Sequence, residues 1–177
     1  MQATRGASLS DADPAPPPRR IGLFVVVAAT VYLLDQLTKV AAVAFLTPGV
    51  PAVVVPGVLQ LDLFRNPGAA FSIATGMTVV FSLVAVVVVG LVIRTARRLR
   101  SRGWAVALGL VLGGAMGNLT DRLVRSPGPF RGWVVDFLQL PHWPVFNLAD
   151  SAIVTGAVLL VVITLTGRGL DGSRSDR

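Results

Sequence analysis

Every acidic residue of this chain is an aspartate, and five of them, Asp35, Asp62, Asp121, Asp136 and Asp150, lie between its polar ends. Three of the five, Asp121, Asp136 and Asp150, flank the last hydrophobic segment. Taking a carboxylate out of water is costly, so acids in an apolar chain gather where a site needs them. Two carboxylates brought close together cannot both ionise easily and share a proton. The pair then offers a base and an acid at one pH, which is how aspartic proteases activate water against an amide carbonyl.

Spacing sharpens this reading. Asn118-x-x-Asp121 and Asn147-x-x-Asp150 each set an amide three residues before a carboxylate, which on a helix places both on one face. Between them, Val134-Val135-Asp136-Phe137 puts a third acid in an apolar, aromatic setting where desolvation raises a carboxyl's pKa. Each acid also has a structural reading. Asp150 is placed to cap the fourth helix, although Asn147 already offers a cap. Asp121 is placed to pair with Arg122 or Arg125, and Asp136 to be a solvated loop acid. Asp35 precedes Lys39 by four residues, the favourable helical order for an ion pair, with anchoring of the site's loops as the alternative. Asn66-Pro67-Gly68 opens a loop whose small residues admit a substrate backbone. His142 reads as an interfacial loop residue.

The elements that position these groups follow from composition. At 53% hydrophobic and 14% charged, the 177-residue chain is too apolar for an ordinary soluble domain and too short for two membrane domains. Its net charge of +7 comes almost entirely from arginine, Lys39 being the only lysine. Those arginines flank apolar runs, which favours anionic lipid over nucleic acid as their partner. With no cysteine and one histidine, there is no disulfide, thiolate site or cysteine nucleophile, and neither a metal nor a cofactor is expected.

Four apolar runs, Ile21–Leu46, Met77–Ile93, Trp104–Leu119 and Ala149–Thr166, approach or exceed the roughly 20 residues that cross a bilayer. The first is too long for a signal-peptide core and is interrupted by Asp35 and Lys39, so it reads as an uncleaved span. Residues 1–20 are expected to form a disordered cytoplasmic tail, 21–167 one four-helix transmembrane domain, and 168–177 a second cytoplasmic tail. Arg5, Arg19 and Arg20, then Arg94, Arg97, Arg98, Arg100 and Arg102, then Arg168, Arg174 and Arg177 put both termini and the middle connection in the cytoplasm. The connections 47–76 and 122–146 then lie outside. In the first, Val58 to Phe64 alternates like a strand, and a small extracytoplasmic β-element between helices 1 and 2 is expected. Gly109, Gly113 and Gly117 form a bare helix face for packing or for a substrate chain.

Asp35-Gln36-Leu37-Thr38-Lys39, Asn66-Pro67-Gly68-Ala69-Ala70-Phe71, Gly113 to Arg122, Val134-Val135-Asp136-Phe137 and Phe146-Asn147-Leu148-Ala149-Asp150-Ser151 resemble, in order, the boxes of the bacterial lipoprotein signal peptidases (signal peptidase II). The resemblance spans about residues 21–167. It implies a monomeric aspartyl endopeptidase in the cell membrane that removes signal peptides from diacylglyceryl-modified prolipoproteins, cutting just before the lipidated cysteine. It places the catalytic pair on Asp136 and Asp150. Asn118, Arg122 and Asn147 match substrate-facing positions, Asp35, Lys39 and Asn66 supporting ones, and Gly68, Asp121 and Ala149 stand within the boxes, Asp121 as the rival member of the pair. The link Leu138–Ala149 is shorter than the family pattern leads one to expect. Two other classes compete: a proton-coupled transporter, and a serine peptidase using Ser72 or Ser151 with Lys39.

Overall fold

The computed structural model describes residues 17–68 and 78–173. Its elements in chain order are α1 (Ile21–Phe45), β1 (Ala52–Val55), β2 (Leu59–Asn66), α2 (Thr78–Ala96), α3 (Arg102–Val124), β3 (Val134–Gln139) and α4 (Leu148–Leu165). All four helices are long and apolar enough to cross a membrane, which satisfies every backbone polar group within each span. They match the four expected runs with shifted ends. Arg94 lies in the last turn of α2, which ends at Ala96, and Arg102 opens α3, so neither lies in the connecting loop, and α3 continues through Asp121 and Arg122.

The helices are not equivalent. α3 has the lowest mean hydropathy, 1.3 against 1.8 to 2.5 for the others, yet half of it is buried against 17% for each neighbour. It is the central helix, packed on α1, α4 and α2. Its small residues permit this. A methyl group at Gly113 would stand 2.6 Å from the Ala28 carbonyl of α1, and one at Gly114 would stand 2.5 Å from the Ala149 carbonyl of α4. Gly109 faces Val27 and Phe24, and Gly117 faces the Asp35 carboxylate. The bare face is therefore filled by α1, and the alternative of a substrate chain lying along it is set aside. α4 answers with Gly156, which meets the Ala107 carbonyl of α3. The remaining faces of α1, α2 and α4 expose Val, Leu and Ile, as lipid contact requires.

The β-element is larger than the sequence pattern indicates. β1 and β2 form the expected hairpin, and β3, from the connection between α3 and α4, joins as a third antiparallel strand in the order β1-β2-β3. Phe64 pairs with Asp136, Arg65 with Val135 and Asn66 with Val134. One face of the sheet buries Leu63, Val135 and Phe137 against Ala42 near the end of α1. Asp136 and Asn66 belong to the other face, because adjacent strand residues point oppositely. The short link after β3 folds straight back: Leu138 and Phe146 bridge through hydrogen bonds of 2.8 and 2.9 Å. That return delivers Asn147 to the start of α4 directly beside the strand.

At the other end of the bundle, Phe24, Val92, Ala96, Leu99, Ala105 and Leu108 form a second core. The Leu170 carbonyl accepts from the Arg100 and Ser101 amides, so part of the segment after α4 is tied to the α2–α3 loop.

Close backbone approach at α3 sets a stability test. Gly114→Ala is expected to lower the apparent melting temperature in detergent, at a cost of about 1–3 kcal/mol from overpacking. Gly90→Ala in α2, where an added methyl meets nothing within 4 Å, is expected to leave melting unchanged or raised.

Candidate active site

Asn147 holds the centre of the site. It is the N-cap of α4, with extended backbone (φ −132°), and its Oδ1 accepts from the Asp150 amide at 2.9 Å. Asp150 Oδ2 in turn accepts from the Asn147 amide at 3.2 Å, which completes a capping box. The Asn-x-x-Asp spacing therefore works across the helix boundary, and not along a helical face. Asp150 does cap its helix, and its other oxygen, Oδ1, is free to accept from Asn118 Nδ2 at 2.8 Å.

The fully buried Asn147 amide also reaches the second acid. Its Nδ2 donates to Asp136 Oδ1 at 2.6 Å and to Asn118 Oδ1 at 3.1 Å. Asp136 Oδ2 accepts from Asn66 Nδ2 at 2.9 Å, and Asn66 Oδ1 accepts from the Gly68 amide at 2.8 Å. Asp136 and Asp150 are thus linked through one asparagine and flanked by two more. Asp136 is 1% exposed and Asp150 partly exposed, so the pair runs from the interior toward the surface. Burial pushes the Asp136 carboxyl up to about 7, and the Asp150 charge adds to this. The hydrogen bonds from Asn66 and Asn147 and the charge of Lys39 work in the opposite sense.

Beneath this network lies a buried cation. Lys39 Nζ donates to three oxygens, one for each of its N–H groups: Asp35 Oδ2 at 2.9 Å, Asp121 Oδ2 at 2.9 Å and Asn118 Oδ1 at 2.8 Å. Asp121 also receives Arg125 Nε at 2.5 Å and the Val135 amide at 3.2 Å. Its structural reading as a partner of Arg125 holds, with Lys39 added. Asp35 pairs with Lys39 as its spacing indicates, and its Oδ1 accepts from the Ala149 amide at 3.0 Å, so what it anchors is the start of α4 and not a loop.

Arg122 lies beside this cluster, its guanidinium 5.8 Å from the Phe81 ring centroid and within Coulombic reach of Asp136, Asp150 and Asp121. Gly68, at φ +98°, makes room for it; a methyl there would stand 3.0 Å from Phe81 and 3.5 Å from Arg122 Nη1. Asp35, Lys39, Asn66, Asn118, Asp121, Asp136, Asn147, Ala149 and Asp150 are brought into one hydrogen-bonded cluster, with Gly68 and Arg122 alongside. Ala69, Ala70, Phe71 and Ser72 lie outside the described residues. Ser151 Oγ bonds the Asn147 carbonyl, and Lys39 is saturated elsewhere, so the serine-lysine alternative has no support at Ser151. His142 is exposed on the link after β3.

Two contributors were not singled out from sequence. Gln36 donates to Asp35 Oδ2 and to the Gly117 carbonyl, and Ser82, fully buried in α2, donates to the Phe130 carbonyl. A polar side chain within a span is the signal that would have found each.

The cation can be tested apart from any activity. Lys39→Met leaves Asp35 and Asp121 short of their shared partner in a buried site and is expected to cost about 3–5 kcal/mol. The apparent melting temperature of the purified variant in detergent measures that cost.

A family model for signal peptidase (SPase) II matches residues 27–166. The chain is 57% identical to the lipoprotein signal peptidase of Rhodococcus jostii strain RHA1 over 156 residues, covering 88% of this chain and 78% of that one. It is 54% identical to the lipoprotein signal peptidase of Mycobacterium avium strain 104 over 88% of this chain and 85% of that one. With that of Mycobacterium leprae strain Br4923 it shares 50% over 93% and 82%. Two bacterial membrane enzymes solved by the in meso method, at 2.3 and 1.9 Å, superpose with TM-scores of 0.77 and 0.74 at 25% and 27% identity. The matches cover 93% and 86% of this chain and 99% and 98% of those chains. On these matches, and with the aspartate boxes standing where the fold brings them together, the chain belongs to the signal peptidase II family.

Proposed function

We propose that this protein removes the signal peptide from diacylglyceryl-modified prolipoproteins by hydrolysing the peptide bond just before the lipidated cysteine, with Asp136 and Asp150 as the catalytic pair. The observation that carries this reading is the difference between the acids. Asp121 is consumed by Lys39 and Arg125, whereas Asp136 and Asp150 meet only amides and are linked through Asn147.

In this mechanism Asp136, the more buried acid, carries the shared proton and Asp150, nearer the surface, acts as base. A water molecule gives its proton to Asp150 as its oxygen bonds to the scissile carbonyl carbon. Asp136 donates a hydrogen bond to the carbonyl oxygen as negative charge develops there. When the C–N bond breaks, the proton on Asp150 passes to the leaving amine, which becomes the amino terminus of the lipidated cysteine. Both aspartates return to their starting states. Asn66, Asn118 and Asn147 hold the two carboxyls in place, and Arg122 faces the substrate.

Orientation supports extracytoplasmic cleavage. Arg19, Arg20, Arg94, Arg97, Arg98, Arg100, Arg102 and Arg168 stand at the end away from the sheet. The positive-inside rule assigns that end, and both flanking segments, to the cytoplasm. The site and sheet then face outward. Residues 21–167 form the catalytic body, which works as a monomer with lipid around its exposed helix faces. The diacylglyceryl chains lie against those faces in the bilayer, which fixes the depth of the scissile bond.

Cleavage of a diacylglyceryl-modified prolipoprotein by purified protein tests the assignment. Asp136→Asn and Asp150→Asn are each expected to lose about 10²–10⁴-fold in rate, and Asp121→Asn at equal folded amount to keep measurable turnover. Loss with Asp121→Asn while Asp136→Asn still turns over would move the pair to Asp121 and Asp150.

The pH profile gives a separate check. Asp136 holds its proton below about 7 and loses it above, leaving two carboxylates and no acid. The ratio kcat/KM is therefore expected to fall as pH rises through about 7, tending to tenfold per unit. A profile flat to pH 9 would remove the acid from Asp136.

A further inference from the structure

A cavity of about 360 Å³ opens at the sheet end of the bundle, lined by Val43, Arg65, Val124, Arg125, Trp133 and Val135 together with Ser126 and Pro127. It lies outside the aspartate cluster. Arg65 and Val135 are paired across β2 and β3 on the sheet face opposite Asp136, so the cavity backs onto the strand that carries that acid.

Its position and chemistry point one way. Val43 stands near the end of α1 and Val124 is the last residue of α3, so the cavity sits where two spans leave the hydrocarbon. Val124 is 73% exposed and Trp133 42% exposed, an aliphatic wall and an indole at the level where tryptophan marks a membrane interface. Two arginines line the same cavity. Arg65 is exposed and has no carboxylate within ion-pair distance among the described residues. Arg125 binds the buried Asp121 through Nε. The Ser126 hydroxyl is exposed on the same rim. Two arginines with no acid among the lining residues suit a phosphate, and the apolar side chains beside them suit an acyl chain.

We infer that this cavity binds an anionic glycerophospholipid of the surrounding leaflet, its phosphate between Arg65 and Arg125, its glycerol ester region at Ser126 and Trp133, and an acyl chain along Val43 and Val124. The lipid on the proposed substrate is joined to cysteine through a thioether and carries no phosphate, so the two arginines distinguish a bilayer phospholipid from the substrate's own diacylglyceryl group. The site depends on the bundle spanning the membrane and is independent of which aspartates cleave.

Binding of dioleoylphosphatidylglycerol to the purified full chain in neutral detergent, followed by native mass spectrometry, tests this. Wild type is expected to retain phosphatidylglycerol more tightly than dioleoylphosphatidylcholine. Arg65→Gln is expected to weaken phosphatidylglycerol about fivefold, the weight of one arginine at an anionic surface, and Trp133→Ala also to weaken it. Both changes are at exposed positions outside the catalytic cluster. Arg97→Gln, in the arginine-rich loop at the other end, is expected to leave this retention unchanged. Equal weakening by Arg97→Gln, or none by Arg65→Gln and Trp133→Ala, would reduce the effect to general attraction and overturn the site. Displacement of the lipid by millimolar inorganic phosphate would make free phosphate the ligand and overturn the lipid assignment.

Discussion

The arrangement depends on one buried ammonium. Lys39 ties its own helix, through Asp35, to α3, through Asn118 and Asp121. The two acids it neutralises each hold a further element by a backbone amide. Asp35 takes that of Ala149 at the start of α4, and Asp121 takes that of Val135 in β3. Three helices and the strand carrying Asp136 therefore converge on a single charge. Such burial is not favourable in itself, because the desolvation of each ion offsets much of its attraction. What it supplies is position: alternative packings would leave a bare charge inside the bundle. Two cations, Lys39 and Arg125, against two acids, Asp35 and Asp121, leave this layer neutral beneath Asp136 and Asp150.

Above that layer the protein changes its choice of partner from charge to amide. Asn66, Asn118 and Asn147 orient Asp136 and Asp150 without a formal charge of their own. A guanidinium in direct contact would stabilise the carboxylate form and hold the proton off Asp136. Amide donors locate the oxygens and oppose burial only in part, which leaves a carboxyl able to carry a proton near neutrality. The same side chain, aspartate, thus serves as a strut at 121 and as a titrating group at 136 because its neighbours differ.

How much of this could be read from the residues follows from what each signal measures. Apolar run length exposes the four spans, because a helix in lipid must be continuous. It understates α3, whose final residues include Thr120, Asp121 and Arg122; the Asp121 charge is met by Lys39 and Arg125, a pairing that a hydropathy count does not register. β3 is hidden for the opposite reason. Val134-Val135-Asp136-Phe137-Leu138-Gln139 is buried on both faces at its start, so no alternation shows, and its strand character comes from pairing with β2 over the end of α1. The Asn147–Asp150 spacing was legible as a pair but not as a capping box, since the helix boundary falls between them. The glycines of α3 were legible as a contact surface, while the identity of the partner, α1, needed the fold.

β3 is an edge strand in the sheet, which ordinarily invites a further chain to pair with it. Here its free side is occupied. The Val135 amide is held by Asp121, the Val135 carbonyl accepts from Asn147 Nδ2 at 3.4 Å, and the Phe137 amide bonds the Phe146 carbonyl at 3.0 Å. Asn147, which bonds Asp136 and shares a capping box with Asp150, is thus also one of the groups that close the edge. An extended peptide has no ladder to join there, so in the cleavage proposed above its expected approach is across the sheet face that carries Asp136 and Asn66. Closing the edge therefore bears on direction as well as aggregation: under the proposed mechanism, a peptide bond that reaches Asp136 and Asp150 comes to them beside the asparagines that hold them.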